Sequence, residues 1–366
     1  MTLIPRLDYR FSLSDSWQGF LGLFRKTDDS VLKDYLSTDR VYYYNHARTA
    51  MRIALSSLNL DKGIGIALTA YNCLTVFNAV DIAGYKPIFI DITDDFQIDM
   101  ADFRRKRSQF SAVIVNHFFG VPCKSILAIR EEFPELPIIE DCAHSFGSTI
   151  EGKPTGTFGD FAMFSYGMAK FPSVRDGGFM IVNTKQFIPQ VEVENSLLSS
   201  PSVWDEIKNL MTGLVMSFLG KPFIYKNLTK PHLKGVESKK DLSGKYATKE
   251  TTAFRSNKYI YFKKLNDVPQ RLVALKESAV VWMNELGMDG TIDQECNYFM
   301  FPILTENREA LIRRYQEKGF ELGAHFSKSI VWANEFGYVL GDCPNAELIC
   351  KRILVLPTYY SIYPLK

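Results

Sequence analysis

Short apolar runs alternate with helix-like segments between residues 47 and 184, and this alternation limits the folds open to the chain. The runs predict buried strands at GIGIALT (63–69), KPIFIDI (86–92), AVIVNHFFG (112–120), PIIEDC (137–142), FAMFSYG (161–167) and GFMIVNT (178–184). The segments between them predict helices at ARTAMRIALSSLNL (47–60), at LTVFNAVDIAG (74–84), which ends at Gly84, and at SILAIREEF (125–133). Strands that alternate with helices form a mostly parallel sheet with helices on its faces, so an α/β fold is predicted.

The last third of the chain predicts a second, smaller unit. Helical periodicity returns at about residue 256 and is followed by a strand at YFMFPIL (298–304), a helix at REALIRRYQEKGF (308–320) and a final apolar group in CKRILVLPTY (350–359). At 366 residues the chain exceeds the size at which one hydrophobic core keeps growing. We therefore predict a large domain over residues 1–255 with a mostly parallel central sheet, and a smaller C-terminal α/β domain over residues 256–366.

The stretch from about 196 to 255 departs from this pattern, and we interpret it as an atypical insertion in the large domain. Its first half, SSPSVWDEIKNLMTGLVMSFLGKPFIYKNL, is apolar and bounded by lysines. An apolar helix flanked by lysines fits a membrane surface or a partner, which predicts peripheral membrane contact through residues 211–228. The alternative, which we favour, is a helix that packs on the protein's own body or on its dimer mate.

The bulk composition excludes some classes of function and location. The net charge is +2, from 43 basic and 41 acidic residues, so the chain lacks the positive field that nucleic-acid binding needs. Six cysteines are scattered without CxxC pairs, and the first residues carry no basic segment followed by a long apolar stretch. No apolar run reaches the roughly 18–20 residues of a membrane-spanning helix. We predict a cytoplasmic protein with reduced thiols and no nucleic-acid partner.

Two side chains that follow apolar runs, Asp141 and Lys170, point to a specific chemistry. A lysine held against apolar surface, as the run FAMFSYGMA before Lys170 suggests, favours the neutral amine that forms Schiff bases with carbonyl groups. A carboxylate at the end of a strand can keep a pyridine nitrogen protonated, which makes pyridoxal phosphate an electron sink. Alone, the lysine is explained by solvation and the aspartate by a helix cap. The pair, 29 residues apart across a glycine-rich connection, is more specific. Ser165 and the helix start at Arg48 and Thr49 are candidates for binding the phosphate.

The motifs around these residues resemble those of a known family. The runs IIEDCAHSFG, GDFAMFSYGMAK and DGG are similar to the central motifs of the DegT/StrS-type sugar aminotransferases, which are pyridoxal-phosphate enzymes with the aspartate aminotransferase fold. Upstream, ARTAMRIAL, AGYKPIFIDI and VNHFFGVP extend the resemblance, and FPI, GFELGAHF and ILVLP extend it downstream. It covers roughly residues 41–190 and 297–360.

The resemblance implies a role for each matching residue. Lys170 matches the lysine that bonds covalently to the cofactor and moves the proton between cofactor and substrate, and Asp141 matches the carboxylate at the pyridine nitrogen. His144 falls where the family has His or Gln against the phenolic oxygen. The remaining implied positions are Ser165, Arg48 and Thr49 at the phosphate, and His325, of the smaller domain, near the substrate.

Several positions depart from the family's pattern. Cys73 stands where many relatives stack an aromatic side chain on the cofactor ring, which leaves Tyr71 or packing alone to cover the ring. The run SYGMAKF around Lys170 lacks the family's His and Asn. Arg175 is a candidate for binding a substrate carboxylate or phosphate, and it is equally compatible with an ion-paired loop residue.

The function implied by the resemblance is an aminotransferase reaction in two halves. The expected enzyme is a homodimer with its site near the interface, taking the amino group from a donor, most simply glutamate, and passing it to a keto group on a nucleotide-linked sugar. Retention of Lys170 argues against the sugar-dehydratase relatives, which carry His in its place. Two alternatives stay open: a pyridoxal-phosphate-binding regulatory protein whose catalysis has decayed, and an aminotransferase acting on a non-sugar or membrane-linked ketone.

Overall fold

The computed structural model describes residues 3–6, 11–219, 221–224, 227 and 249–359, and it is built around one seven-stranded sheet. The strands are β1 (Val41–Tyr44), β2 (Gly65–Thr69), β3 (Lys86–Ile90), β4 (Ala112–Asn116), β5 (Ile138–Asp141), β6 (Thr149–Ile150), β7 (Lys153–Pro154), β8 (Phe161–Ser165), β9 (Gly178–Val182), β10 (Met300–Leu304) and β11 (Ile353–Pro357). The helices are α1 (Leu13–Gly22), α2 (Ser30–Leu36), α3 (Ala47–Ser57), α4 (Leu74–Ile82), α5 (Met100–Lys106), α6 (Ser125–Glu132), α7 (Ile188–Ser196), α8 (Val203–Leu219), α9 (Arg255–Leu265), α10 (Val268–Leu286), α11 (Arg308–Glu317), α12 (Ser329–Asn334) and α13 (Pro344–Arg352). Single helical turns lie at Arg107–Gln109, Phe118–Gly120, Lys185–Phe187 and Pro222–Ile224.

The main sheet has the order β1-β9-β8-β5-β4-β2-β3. Strands β3, β2, β4, β5 and β8 are parallel, whereas β9 and β1 add to the β8 edge in antiparallel pairs. The predicted α/β fold with a mostly parallel central sheet is therefore confirmed. All six strands predicted in this part of the chain are present, each shorter than its apolar run. Four of them lose residues at the carboxyl end of the run, β2 loses Gly63 and Ile64 at the start, and β5 loses one residue at each end.

Burial of both sheet faces explains why the strands are continuous apolar runs. In β4, Ile114 packs into one core together with Leu68, while Val113 and Val115 point into a second core on the opposite face. A sheet covered by helices on both sides favours apolar residues on both faces of its inner strands, so that these strands are nearly continuous apolar runs.

The helical periodicity after residue 256 divides into two helices, α9 and α10. Pro269 lies in the first turn of α10, where a backbone N–H would have no partner within the helix, so its absence in proline is tolerated. Inside one continuous helix the same proline would remove a hydrogen bond, which disfavours a single helix through this point. Strands β10 and β11 pair in antiparallel fashion and form a separate two-stranded sheet. The division into domains 1–255 and 256–366 stays a prediction.

Helix α8 occupies the first half of the predicted insertion and contacts α1 and α9. Residues 220, 225–226 and 228–248 of the insertion, which include parts of the 211–228 segment, lie outside the described residues. Along the described parts of the chain, no helix combines the length and the apolarity that crossing a bilayer requires.

A buried polar cluster behind β5 ties the site-bearing strands together. Glu140 accepts hydrogen bonds from the backbone N–H groups of Gly156, Phe158 and Gly159 at 2.6–2.8 Å. His117 Nδ1 accepts the backbone N–H of Cys123, so its proton lies on Nε2, which is 3.0 Å from the Glu140 carboxylate. These groups satisfy one another, and the cluster fixes the loop between β7 and β8.

Replacing Glu140 with alanine should therefore destabilise the fold strongly. Glu140→Ala leaves three buried N–H groups without an acceptor, and we expect the free energy of unfolding to fall by about 3 kcal/mol or more. Urea unfolding measures this change. The control is Glu135→Ala, an exposed glutamate just before β5, for which a change within about 0.5 kcal/mol is expected. Equal stability of the two variants would contradict the role of Glu140.

Candidate active site

A cavity of about 320 Å³ opens where the carboxyl ends of β4, β5 and β8 meet the N-terminus of α3. Ligands bind at this edge in open α/β sheets. The predicted site residues that line it are Arg48, Cys73, Asp141, His144, Ser165, Lys170 and His325.

Asp141 ends β5 at the floor of the cavity, with both carboxylate oxygens oriented by the protein. Its Oδ2 accepts a hydrogen bond from Asn116 Nδ2 at 2.8 Å, and its Oδ1 accepts one from the backbone N–H of Ala143 at 3.0 Å. Burial raises the pKa of the Asp141 carboxyl, and the Ala143 N–H and the nearby Lys170 lower it less. The carboxylate is thus held in one orientation, and an additional cationic partner would stabilise its charged form.

Lys170 lies in the loop between β8 and β9, and its half-buried side chain lines the same cavity. The preceding Ala169 has a φ of 61°, a left-handed conformation that is uncommon for a residue with a Cβ. Burial lowers the pKa of the Lys170 amine, and the electrostatic influence of Cys73 and Asp141 raises it by less. Desolvation therefore outweighs the attraction between Lys170 and Asp141, and it favours the neutral, nucleophilic amine.

His144 is held in one tautomer on the wall of the cavity. Its Nδ1 accepts the backbone N–H of Phe119 at 3.2 Å, which leaves the proton on Nε2. Burial lowers the pKa of His144 well below its usual value, and Lys170 and His325 lower it further. Its ring is parallel to that of Phe326 at 5.8 Å between centroids. His144 is therefore a neutral donor with a fixed orientation.

His325 reaches the cavity from the segment before α12. Tyr71 donates its hydroxyl hydrogen bond to the backbone carbonyl of His325 at 2.7 Å, so Tyr71 positions this segment and is not among the residues lining the cavity. The buried Nε2 of His325 has no hydrogen-bond partner within the described part of the chain. A polar atom buried in this way is available to a ligand.

The N-terminus of α3 forms a cradle with β8 and β9. Ala47 and Arg48 line the cavity together with Ser165 and Gly177, and no side chain caps the helix N-terminus. A Cβ on the adjacent Gly178 would lie 2.6 Å from the backbone of Ala47, so the strand approaches the helix closely. The positive end of the helix dipole favours an anion here.

Two predicted residues do not line the cavity. Thr49 is buried inside α3, and its hydroxyl donates to Asn45 Oδ1 at 3.1 Å. The guanidinium of Arg175 donates to the side chain of Asn209 on α8 and forms an ion pair with Asp176 at 3.3 Å. Of the two interpretations of Arg175, this geometry favours the ion-paired loop residue.

Sequence reasoning missed several residues that complete the cavity. Asn116 ends β4 and orients Asp141, and Asn72 donates to Asn116 Oδ1 at 2.8 Å. His46 and Phe326 also line the cavity. The position of Asn116 directly after a buried strand was the available signal, since the carboxyl ends of adjacent parallel strands lie together.

Comparison with known proteins identifies the family. The model of the DegT/DnrJ/EryC1/StrS aminotransferase family matches residues 14–214 and 256–364. GDP-perosamine synthase of Escherichia coli O157:H7 is 30% identical over 145 residues, which cover 38% of this chain and 40% of that protein. The dTDP-4-dehydro-2,3,6-trideoxy-D-glucose 4-aminotransferase of Saccharopolyspora spinosa is 23% identical over 368 residues, covering 95% of this chain and 87% of that protein. Spr1654 of Streptococcus pneumoniae, solved in its PLP form, shares the fold with a TM-score of 0.71 at 17% identity, covering 99% of this chain and 94% of that structure. With matches on both sides of the 215–255 gap, the chain belongs to the DegT/DnrJ/EryC1/StrS aminotransferase family.

Proposed function

We propose that this chain is a pyridoxal-phosphate-dependent aminotransferase that moves an amino group from glutamate to the keto group of a nucleotide-linked sugar. The observation that carries the proposal is that Asp141 and Lys170 line one cavity, with the carboxylate oriented by two donors and the amine desolvated. A homodimer with the site near its interface and a cytoplasmic location are parts of the same proposal.

Each polar group of pyridoxal phosphate has residues in the cavity that are suited to bind it. Asp141 would hold the pyridine nitrogen, and the Nε2–H of His144 would donate to the phenolic oxygen. The uncapped start of α3, with Arg48 and Ser165, would hold the phosphate by N–H groups, charge and hydroxyl. Cys73 borders the cavity where relatives often place an aromatic ring, and Thr49 would support the cradle from inside α3.

When bound, pyridoxal phosphate supplies an electron sink for negative charge that develops on the substrate carbon. The chain's own groups supply the rest. Lys170 provides the nucleophilic amine and, once displaced by the substrate's amine, the base that carries a proton to and from that carbon. Asp141 would place its negative charge beside the pyridine nitrogen and would so favour the protonated form of that nitrogen. His325, with its buried Nε2, is placed to contact the substrate.

The substrate class rests on the relatives. The names of GDP-perosamine synthase and of dTDP-4-dehydro-2,3,6-trideoxy-D-glucose 4-aminotransferase both refer to nucleotide-linked sugars. The test is a panel of nucleotide-linked keto sugars, free keto sugars and unrelated ketones, each added to the protein loaded with pyridoxamine phosphate. We expect nucleotide-linked keto sugars to be aminated fastest, and preference for a ketone without a nucleotide would overturn this part of the proposal.

The lowered pKa of Lys170 predicts a specific pH dependence for cofactor attachment. Below its pKa a lysine is an ammonium ion without a free electron pair, so a lowered pKa extends reactivity to lower pH. The rate of covalent attachment should therefore reach half its maximum below the ordinary lysine pKa of 10.5. Because the Asp141 charge raises the pKa of Lys170, Asp141→Asn should shift this midpoint lower still. Borohydride trapping followed by intact-mass measurement at each pH gives the profile, and a midpoint at the ordinary value would contradict burial of the amine.

A further inference from the structure

The inward side of helix α8 carries two buried polar residues, Glu206 and Asn209, beside Leu210 and Gly213. Glu206 accepts hydrogen bonds from the hydroxyl of Ser256 and, at 2.5 Å, from the backbone N–H of Arg255. Asn209 donates to Asn257 Oδ1 at 2.7 Å. Both Glu206 and Asn209 are buried. A helix at the surface of a globular protein normally has the opposite arrangement, with its apolar side inward.

The outer side of α8 carries large apolar side chains. At helical spacing of three or four residues it exposes Trp204 (77% exposed), Ile207 (39%), Met211 (57%), Val215 (55%) and Phe218 (57%). These positions fall on one side of the helix, opposite the buried polar residues. An exposed stripe of this kind marks an interaction surface.

Helix α1 has the same inverted arrangement beside α8. Its buried positions are the glycines Gly19 and Gly22, and a Cβ at Gly19 would lie 2.5 Å from Leu210 of α8. Its outer side exposes Leu13 (75%), Trp17 (60%) and Phe20 (45%), and Phe24 (77%) follows two residues after the end of the helix. We call these four residues, together with the five outer residues of α8, the apolar face.

Basic residues outnumber acidic ones at the border of the apolar face, where Asp28 and Asp205 are also present. Arg25 and Lys26 follow Phe24, Lys208 lies on α8, and all three are exposed. Lys221 follows the end of α8, with its ammonium 5.7 Å from the centre of the Phe218 ring. The acidic residue of α1, Asp15, is turned to the body, where it pairs with Lys264 at 3.2 Å.

We propose that the apolar face docks on a membrane surface that contains anionic phospholipids. The aromatic and aliphatic side chains would enter the interfacial region, and the four cations would lie at the level of the phosphate groups. The two helices lie on the bilayer and do not cross it. A two-fold contact between copies of the chain is less favourable, because it would bring the same cationic border together from both subunits.

The experiment is co-sedimentation of the whole chain with phosphatidylcholine vesicles, with and without phosphatidylglycerol. The test variant is Phe20→Gln/Phe218→Gln, with one exposed residue changed on each helix. The control variant is Val339→Gln/Leu340→Gln, which changes residues of similar or greater exposure, 70% and 73%, outside the apolar face. Unfolding midpoints of both variants are measured first, and values equal to the wild type are expected because all four positions are exposed.

We expect the wild type and the control variant to sediment with phosphatidylglycerol vesicles, and less so as salt is raised. The test variant should partition onto these vesicles about tenfold less than the wild type, because each aromatic side chain removed reduces the apolar area buried in the bilayer. Brominated phospholipid should quench Trp17 and Trp204 fluorescence in the bound protein. Absence of wild-type binding to anionic vesicles, or equal loss in the control variant, would overturn the proposal. A third outcome would also overturn it: the wild type does not bind vesicles, and the test variant has a lower oligomeric mass than the wild type. The apolar face would then join copies of the chain.

Discussion

Lys170→Ala should abolish transamination, with turnover lowered by about 10⁴-fold or more, since the variant lacks both the nucleophile and the proton carrier. It should also abolish covalent attachment. After incubation with pyridoxal phosphate and reduction with borohydride, the intact mass of the wild type should increase by one reduced cofactor, whereas that of the variant should not. The second readout does not depend on knowing the keto substrate.

The matched control for this prediction is Lys328→Ala. Lys328 is exposed and lies three residues after His325. It is therefore a lysine close to the cavity in sequence that does not line the cavity. We expect it to keep both activity and covalent attachment. Retained attachment at full stoichiometry in Lys170→Ala would show that another lysine holds the cofactor.

Asp141→Asn should lower turnover by about 10³-fold while cofactor binding falls much less. A neutral amide cannot keep the pyridine nitrogen protonated, so negative charge on the substrate carbon is no longer stabilised. Because both Asp141 oxygens accept protein hydrogen bonds, the amide also leaves one donor unsatisfied, which costs about 1–2 kcal/mol of stability.

Single-turnover kinetics and cofactor titration separate the two effects of Asp141→Asn. Asp94→Asn serves as the control, because the Asp94 side chain is 65% exposed and lies on the surface near Arg352. Near-normal turnover in Asp141→Asn would refute the assigned role. A loss of turnover equal to the loss of cofactor affinity would show that Asp141 acts only in binding.

The central sheet could be predicted from sequence because burial on both faces makes each inner strand a distinct apolar run. Strand β1 was not predicted from the sequence, because its four residues, VYYY, are followed at once by a polar segment. The strand lies at the sheet edge and pairs only with β9. Helix α1 was not predicted for a different reason. Its inner side consists of glycines and its outer side of aromatics, so the usual apolar-inward pattern is reversed.

The placement of Asp141 and Lys170 in one cavity could be predicted because both follow apolar strands of a parallel sheet, whose carboxyl ends lie together. The candidate site could not be predicted where the local backbone decides the direction of a side chain. Thr49 follows Arg48 directly, yet only Arg48 lines the cavity, because successive residues of a helix point about 100° apart. Arg175 is held by Asn209, a residue of the insertion, and no pattern near Arg175 indicated that partner.

The central claim is that Lys170 and Asp141 form a working transamination site, and the half-reaction with glutamate tests it most directly. Purified protein is loaded with pyridoxal phosphate, mixed with excess glutamate in the absence of any keto acceptor, and sampled for 2-oxoglutarate and for borohydride-trapped cofactor. We predict 2-oxoglutarate in an amount equal to the sites and a matching loss of cofactor attached to Lys170. Cofactor that stays attached to Lys170 while no 2-oxoglutarate forms would contradict transamination with this donor and would favour the regulatory, non-catalytic alternative.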